Sequence, residues 1–342
     1  MNWEEFEKHK PFAGEKKPSM LRRRVGHDYQ SRRIYLITMT VMGRQRILGT
    51  PTGDVNAPEG SPSAPHIELT ALGQQVADCW HDIENHYPEV HVLALTVMPD
   101  HLHGILFVEQ HMQHHLGMVI KGFKTGCNKA YRKMKLQQLL PMQQQCCSKE
   151  NEGSKENEGY LWERGYNDHI LEGKGELERW FTYLRNNPRR LLLKQTFPNF
   201  FRVQFNITIG SQTYAAIGNR FLLHHPQKKQ VRCSRRLTEK EVGDTVSAYL
   251  QQARNGAVLV SPAISDGERM VMRAALDAGL PLIFLTPWGF NTFSKPDHDF
   301  FEACAAGRFL ILAPWPHENR RIPLSRQMCL QLNAMAAEIC EA

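Results

Sequence analysis

The stretch "TVMPDHLHGILFV", Thr96–Val108, decides how the first half of the chain is read. Its second part, His101–Val108, is apolar apart from two histidines and a glycine, and the composition predicts a strand. Residues i and i+2 of a strand point to the same side, so His101 and His103 share a face and Leu102 and Gly104 lie opposite. Two imidazoles on one face can chelate a divalent cation. A chain with 16 histidines also produces such a pair by chance.

Working outward, "VHVLALTVM" (Val90–Met98) predicts a second strand, and Pro99 and Asp100 a turn, so the two strands form a hairpin. "RIYLITMTV" (Arg33–Val41) predicts a strand upstream. Gly, Pro and Ser fill Gly49–Pro65, which reads as a loop. Leu69, Leu72, Val76, Cys79, Trp80 and Ile83 have helical spacing within a segment Ile67–Pro88 that Pro88 stops. Downstream, His115–Leu140 predicts an amphipathic helix with Val119, Phe123, Cys127, Ala130 and Met134 in one stripe. Its basic residues Lys121, Lys124, Arg132 and Lys135 lie on another face. The hexapeptide duplication "SKENEGSKENEG" (Ser148–Gly159) is polar and reads as a disordered insertion within 141–159. A short strand at Asn167–Leu171 and a helix Gly175–Pro188, ended by its proline, complete the half. The order β-α-β-β-α-β-α over 31–195, behind a basic arm at 1–30, predicts an α+β ferredoxin-like domain: a four-stranded antiparallel sheet with packed helices.

The pattern changes over 205–342. Short apolar runs at Tyr214–Asn219, Gly256–Pro262, Leu280–Pro287 and Arg308–Pro314 alternate with helical stretches Thr238–Arg254, Gly267–Ala278 and Asp297–Ala306. That alternation predicts an α/β Rossmann-like domain with a mainly parallel sheet covered on both faces.

The 342 residues carry a net charge of +7, with 42% hydrophobic and 23% charged residues. That is globular composition. No run approaches the about 20 apolar residues of a membrane span, and the opening "MNWEEFEKHKPF" lacks the apolar core of a signal peptide. Eight cysteines without a CxxC pattern make a disulfide framework or zinc site the wrong reading, and a reducing cytoplasmic setting the expected one. No acidic residue lies between Glu109 and Glu150, where seven Lys and Arg are found; "LRRRVGHDYQSRR" (Leu21–Arg33) is a second basic cluster. Nucleic-acid phosphates would match this charge; so would a solvated basic helix with a disordered arm.

One further pair bears on chemistry. Tyr183 and Asn187 in "WFTYLRNNP" are four apart, hence on one helical face. A tyrosine can supply a phenolate nucleophile, and an asparagine a carbonyl oxygen suited to Mg²⁺ or Mn²⁺. A lone helical tyrosine is also a common core residue.

"VMPDHLHGILFV", then a basic helix, then "LWERGYNDHILEGKGELERWFTYLRNNPRR" together resemble the HUH-type tyrosine transposases that act on single-stranded DNA, above all the REP-associated (RAYT) branch. The resemblance covers about residues 20–195. It implies His101, His103 and Asn187 as ligands of a divalent metal (Mg²⁺ or Mn²⁺) and Tyr183 as the catalytic nucleophile, with Tyr166 as the alternative nucleophile. His169 matches a family position near the active site, with either a supporting or a purely structural role. The implied activity is metal-dependent cleavage and transfer of single-stranded or hairpin DNA through a 5′-phosphotyrosine, in a cytoplasmic, nucleoid-associated monomer or homodimer. Lys121, Lys124, Arg132 and Lys135 are the expected backbone contacts. The Gly49–Pro65 loop, the repeat and the second domain depart from the family pattern.

The C-terminal half resembles, more loosely, the Rossmann-like domain of DNA-processing protein A. That implies a nucleotide or phosphate site around Gly218, Asn219, Ser261 and Gly267, although no GxGxxG is present. A degenerate domain that serves as a scaffold or an extra DNA-binding surface is the other reading of this half. A domesticated DNA-binding protein and a nucleotide-sensing module are the alternatives to an enzyme.

Overall fold

The computed structural model describes residues 23–139, 159–234, 236–296, 298–318 and 323–342. Most of the basic arm at 1–30, and the insertion at 141–159 except Gly159, lie outside the described residues. The chain divides into two compact units that meet between Leu192 and Leu193.

In the first unit β1 (Arg33–Thr40) is followed by the strands β2 (Gly49–Thr52) and β3 (His66–Leu69), then α1 (Ala71–His81) and a further turn at Ile83–His86. β4 (Val90–Met98) and β5 (His101–Val108) form a hairpin; α2 (Leu116–Leu139), β6 (Asn167–Ile170) and α3 (Glu176–Thr196) follow. The main sheet is antiparallel with order β4-β5-β1-β6.

Strand alternation gives this sheet two faces. Tyr35, Ile37, Met39, Leu102 and Leu106 point to one side, where they pack with Val76 and Trp80 of α1 and Val119, Ile120 and Phe123 of α2. Gly104 belongs to this face. A Cβ on it would lie 2.1 Å from a Trp80 ring carbon, so only the hydrogen of glycine lets the indole lie flat on the strand. Leu36 and Ile105 point to the other side, against Leu184, Leu177, Trp180 and Phe181 of α3. The histidines of β5 are on the α3 side.

Three sequence expectations are corrected here. Gly49–Pro65 is not all loop: Gly49–Thr52 pairs with His66–Leu69 as a separate two-stranded hairpin, which satisfies its backbone groups. The helix expected from Ile67 starts at Ala71, because Thr70 takes an extended conformation and its side chain accepts from the Gly73 N–H as an N-cap. Finally, Pro188 does not end α3, which runs on to Thr196. A residue at 188 would ordinarily donate to the Leu184 carbonyl; proline cannot. The Thr96 hydroxyl of β4 donates to that carbonyl instead, at 3.2 Å, and the helix continues.

The second unit carries a mixed six-stranded sheet of order β7-β8-β12-β11-β10-β9. Its strands are β7 (Gln204–Ile209), β8 (Gln212–Gly218), β9 (Lys228–Gln230), β10 (Val258–Ser261), β11 (Leu282–Leu285) and β12 (Phe309–Ala313). β9 to β12 are parallel neighbours, while β8 runs antiparallel to β12 and β7 antiparallel to β8. α4 (Glu239–Arg254), α5 (Asp266–Asp277) and α6 (His298–Ala305) are the crossovers, and α7 (Arg326–Glu341) follows β12. Strands β10, β11 and β12 are almost wholly buried, which explains their continuous apolar runs. The expected strands and crossover helices are present; β7, whose Phe205, Ile207 and Ile209 alternate with polar residues, is not among the expected strands, and the three polar residues of β9 carry no apolar pattern to be seen in the sequence. No helix among the described residues is long and apolar enough to cross a membrane.

Candidate active site

The β1–β5 register sets Thr38 opposite His103 and Thr40 opposite His101. The β4–β5 register sets Thr96 on the other side of His103. The His101 and His103 rings are 4.9 Å apart, edge to face. Each has its Nδ1 engaged: His101 with the Asp100 carboxylate at 2.6 Å, His103 with the Thr38 hydroxyl at 2.8 Å. These bonds orient both rings and leave both Nε2 atoms free of hydrogen bonds. Metal-binding histidines are oriented in the same way, by a hydrogen bond to the ring nitrogen that does not bind the metal.

Electrostatics agree with that role. Burial, then the neighbouring His101, push the His103 imidazole down to about 3, so it is neutral at physiological pH, as a ligand must be. Burial pushes the Asp100 carboxyl up, but its bonds to His101 and to the Arg44 guanidinium outweigh this and hold it below the usual carboxylate range. It stays charged beside His101.

Helix α3 brings the other components. Glu176, Trp180, Tyr183 and Asn187 are spaced by four, three and four residues and so form one stripe along it. The Tyr183 ring lies 5.9 Å from that of His103, centroid to centroid, and 5.2 Å from that of Trp180. The Arg190 guanidinium is 6.0 Å from the Tyr183 ring centre, which puts positive charge beside the phenol. Tyr183 is 37% exposed. Asn187 is 8% exposed, and its side-chain nitrogen is fully buried without a partner. A buried amide left half-satisfied is costly, and half a turn about its terminal bond exchanges nitrogen for oxygen. Two imidazoles with free Nε2 atoms and a buried amide short of a partner make a donor set that fits a divalent cation. Among the described residues, no three His, Cys, Asp or Glu gather at one point, so an amide ligand is needed to complete such a set.

His169 pairs with Leu36 in β6, on the α3 face. Its Nε2 meets the Glu176 carboxylate at 2.6 Å and its ring lies 5.8 Å from Trp180. Glu176 also accepts from the Glu172 and Gly173 amides, so it joins the strand end to the start of α3. The His169 bond and then the Gly173 amide hold its carboxyl down at about 2. The ¹³C signal of the Glu176 carboxyl is therefore expected to titrate near pH 2. In His169→Ala it should move up towards the ordinary carboxylate range; an unchanged midpoint would show that the histidine does not hold this group.

Tyr166, the alternative nucleophile, packs on the other side of the sheet, against the core under α1 and α2. Its hydroxyl is fully buried and the Arg23 guanidinium covers its ring at 3.7 Å. Burial raises its pKa, which disfavours a phenolate.

The four basic residues of α2 divide. Lys124 turns inward and donates to the carbonyls of Glu163 and Gly165, and burial lowers it to about 8. Arg132 donates to the Gly159 carbonyl. Lys121 is exposed, and Lys135 stands over the Tyr131 ring. Of the four, Lys124 and Arg132 are already engaged by backbone.

The second-unit residues do not converge. Gly218, with φ +112°, pairs with Leu310 at the start of β12, and a Cβ there would strike the Phe309 carbonyl at 2.2 Å. Asn219 donates to the Gly307 carbonyl and accepts from the Phe221 amide. Both sit at the N-terminal end of the parallel strands. Ser261, the last residue of β10, and Gly267, in the first turn of α5, lie at the opposite end. There Glu268 is 5% exposed and accepts from the Ile264 and Ser265 amides, while the Ser265 hydroxyl accepts from the Glu268 amide. The Ile264, Ser265 and Glu268 amides are thus held by the chain's own capping box. The four residues therefore form no common phosphate site.

Thr38, Asp100, Glu176 and Trp180 are site residues the sequence reading missed. Glu176 and Trp180 could have been found from their spacing to Tyr183. Thr38 and Asp100 could not, since their roles depend on register and side-chain orientation.

No family model matches the chain. An uncharacterized protein of Haemophilus influenzae is 22% identical over 182 residues, which is 47% of this chain and 83% of that protein. Among solved structures, DNA processing protein A from Helicobacter pylori, described for its single-stranded DNA binding mode, is 20% identical, covers 42% of this chain and 68% of its own, and has a TM-score of 0.32. A REP-associated tyrosine transposase bound to a REP hairpin is 13% identical, covers 48% of this chain and 72% of its own, and has a TM-score of 0.29. At such TM-scores these likenesses are loose and assign this chain neither fold nor function.

Proposed function

We propose that the first unit is a metal-dependent, tyrosine-nucleophile endonuclease and strand transferase of the HUH transposase kind, acting on single-stranded DNA at hairpin or repeat sequences. The reading takes the first unit as ferredoxin-like and the second as Rossmann-like. One observation carries it: His101 and His103 have both Nδ1 atoms engaged and both Nε2 atoms free, on the face where α3 presents Tyr183 and the unsatisfied Asn187.

His101, His103 and Asn187 would hold a divalent cation, which when bound supplies neutralisation of charge on the phosphate oxygens. The chain's own groups do the rest. Asp100 and Thr38 orient the two imidazoles. The Tyr183 oxygen attacks phosphorus; the new bond is O–P, and the bond to the 3′ oxygen breaks. The phenolic proton passes to water, which the exposure of Tyr183 allows, and the departing 3′ oxygen takes up a proton. The product is a 5′-phosphotyrosine and a free 3′-OH. Because the phosphodiester energy is kept, a 3′-OH can reverse the attack and join strands without a nucleotide cofactor.

The test is a gel assay with labelled single-stranded hairpin DNA from repeats flanking the gene, with Mn²⁺ or Mg²⁺. A denaturant-resistant protein–DNA adduct through the 5′ phosphate of the fragment downstream of the cut, absent in EDTA, is expected. Binding without an adduct on every flanking sequence would overturn the enzymatic reading in favour of a non-catalytic DNA-binding protein. Nucleotide sensing by the second unit has the buried Glu268 carboxylate against it.

A further inference from the structure

On the sheet face opposite the histidines, α2 and the segment 160–166 enclose a cleft of about 500 Å³. Ile120 and Trp162, both almost fully buried, give it apolar walls. Tyr166 is also a lining residue, and its hydroxyl is buried and without a partner. Thr125 is an exposed lining residue, and Lys121 and Arg164 are exposed cations at the rim. The cleft stays close to the histidine end of the sheet: Trp162 bridges to Val41, and the Glu163 amide donates to Thr40, the residue opposite His101.

These features specify a ligand. Apolar walls suit the faces of a planar ring, and an unsatisfied phenol suits a ring with polar atoms on its edge. Exposed cations at the rim suit an attached anion. An unpaired nucleotide combines all three. We propose that this cleft takes one unpaired base of the nucleic-acid strand, with its phosphate at Lys121 and Arg164. The inference rests on the proposed DNA substrate but places part of it on the far side of the sheet from Tyr183.

The experiment measures binding of the full chain to a hairpin oligonucleotide with single-stranded flanks, by anisotropy in EDTA, so that no cleavage occurs. A single abasic site is moved along the flanks. One position should weaken binding about 10-fold or more, the scale of losing one base stack. Thr125→Trp, which fills the cleft from its exposed rim, should weaken the intact DNA to a similar extent and abolish the effect of that abasic site. Lys121→Ala gives a second variant that does not touch the core; it should weaken binding several-fold. If all abasic positions and both variants stay within about twofold of the wild type, the proposal falls. Saturation-transfer NMR with deoxynucleoside monophosphates separates it from the catalytic reading. Mononucleotide binding that Thr125→Trp removes, without any covalent adduct, would keep the cleft and overturn the enzyme. An adduct that forms with no abasic dependence would do the reverse.

Discussion

Tyr183→Phe is expected to reduce the covalent protein–DNA adduct by about 10³-fold or more, the scale seen when a covalent catalyst loses its nucleophile. The substitution removes one oxygen and keeps the ring, so the packing with His103 and Trp180 is preserved and DNA binding should change little. Tyr166→Phe should leave adduct formation largely intact, with at most a several-fold loss through weaker binding. Its hydroxyl is buried on the wrong side of the sheet and its phenol is harder to ionise. The pair is read on one denaturing gel. An adduct that survives in Tyr183→Phe and vanishes in Tyr166→Phe would sink the assignment of the nucleophile.

Gly104→Val should destabilise the first unit by about 3 kcal/mol or more, the upper end of core overpacking. Even the first added carbon meets the Trp80 ring at 2.1 Å, and two further methyls leave the indole no place on the strand. Trp80 is fully buried, so it cannot swing out without opening the core. Because His103 precedes Gly104, displacement of β5 would also disturb the histidine pair. Hydrogen exchange at the amides of Leu102 and Leu106 is the direct measurement. Shortening the partner in Trp80→Leu should recover part of the loss, a coupling that neighbours in contact show and distant sites do not. Strictly additive effects would show that the indole is not what excludes a side chain here.

The second unit bears on function by what its geometry closes. A strand followed by a helix after a small-residue turn is where a phosphate is expected. In this chain Ser265 and Glu268 take that position for themselves. The capping spacing Ser-x-x-Glu was visible in the sequence, but a capping box and an anion site start from the same pattern. What separates them is whether the carboxylate folds back onto the amides, and here it does.

The sequence by itself determined the elements with strong periodicity and the residues that must share a face. Alternation puts His101 and His103 together whatever surrounds the strand, and the helical repeat does the same for Tyr183 and Asn187. The buried runs of β10, β11 and β12 were equally plain, because strands covered on both sides must be apolar throughout. Only the tertiary structure decided that the histidine face and the tyrosine face meet, since that follows from strand order and from α3 crossing the sheet on that side. It also decided that Pro188 continues a helix, because the carbonyl it orphans is bonded by a threonine from another strand. Lys124 faces inward for the same kind of reason: carbonyls 39 and 41 residues away are in reach of its amine. Periodicity is a local property of the chain, whereas the partner of a polar group is chosen by whatever folding brings beside it.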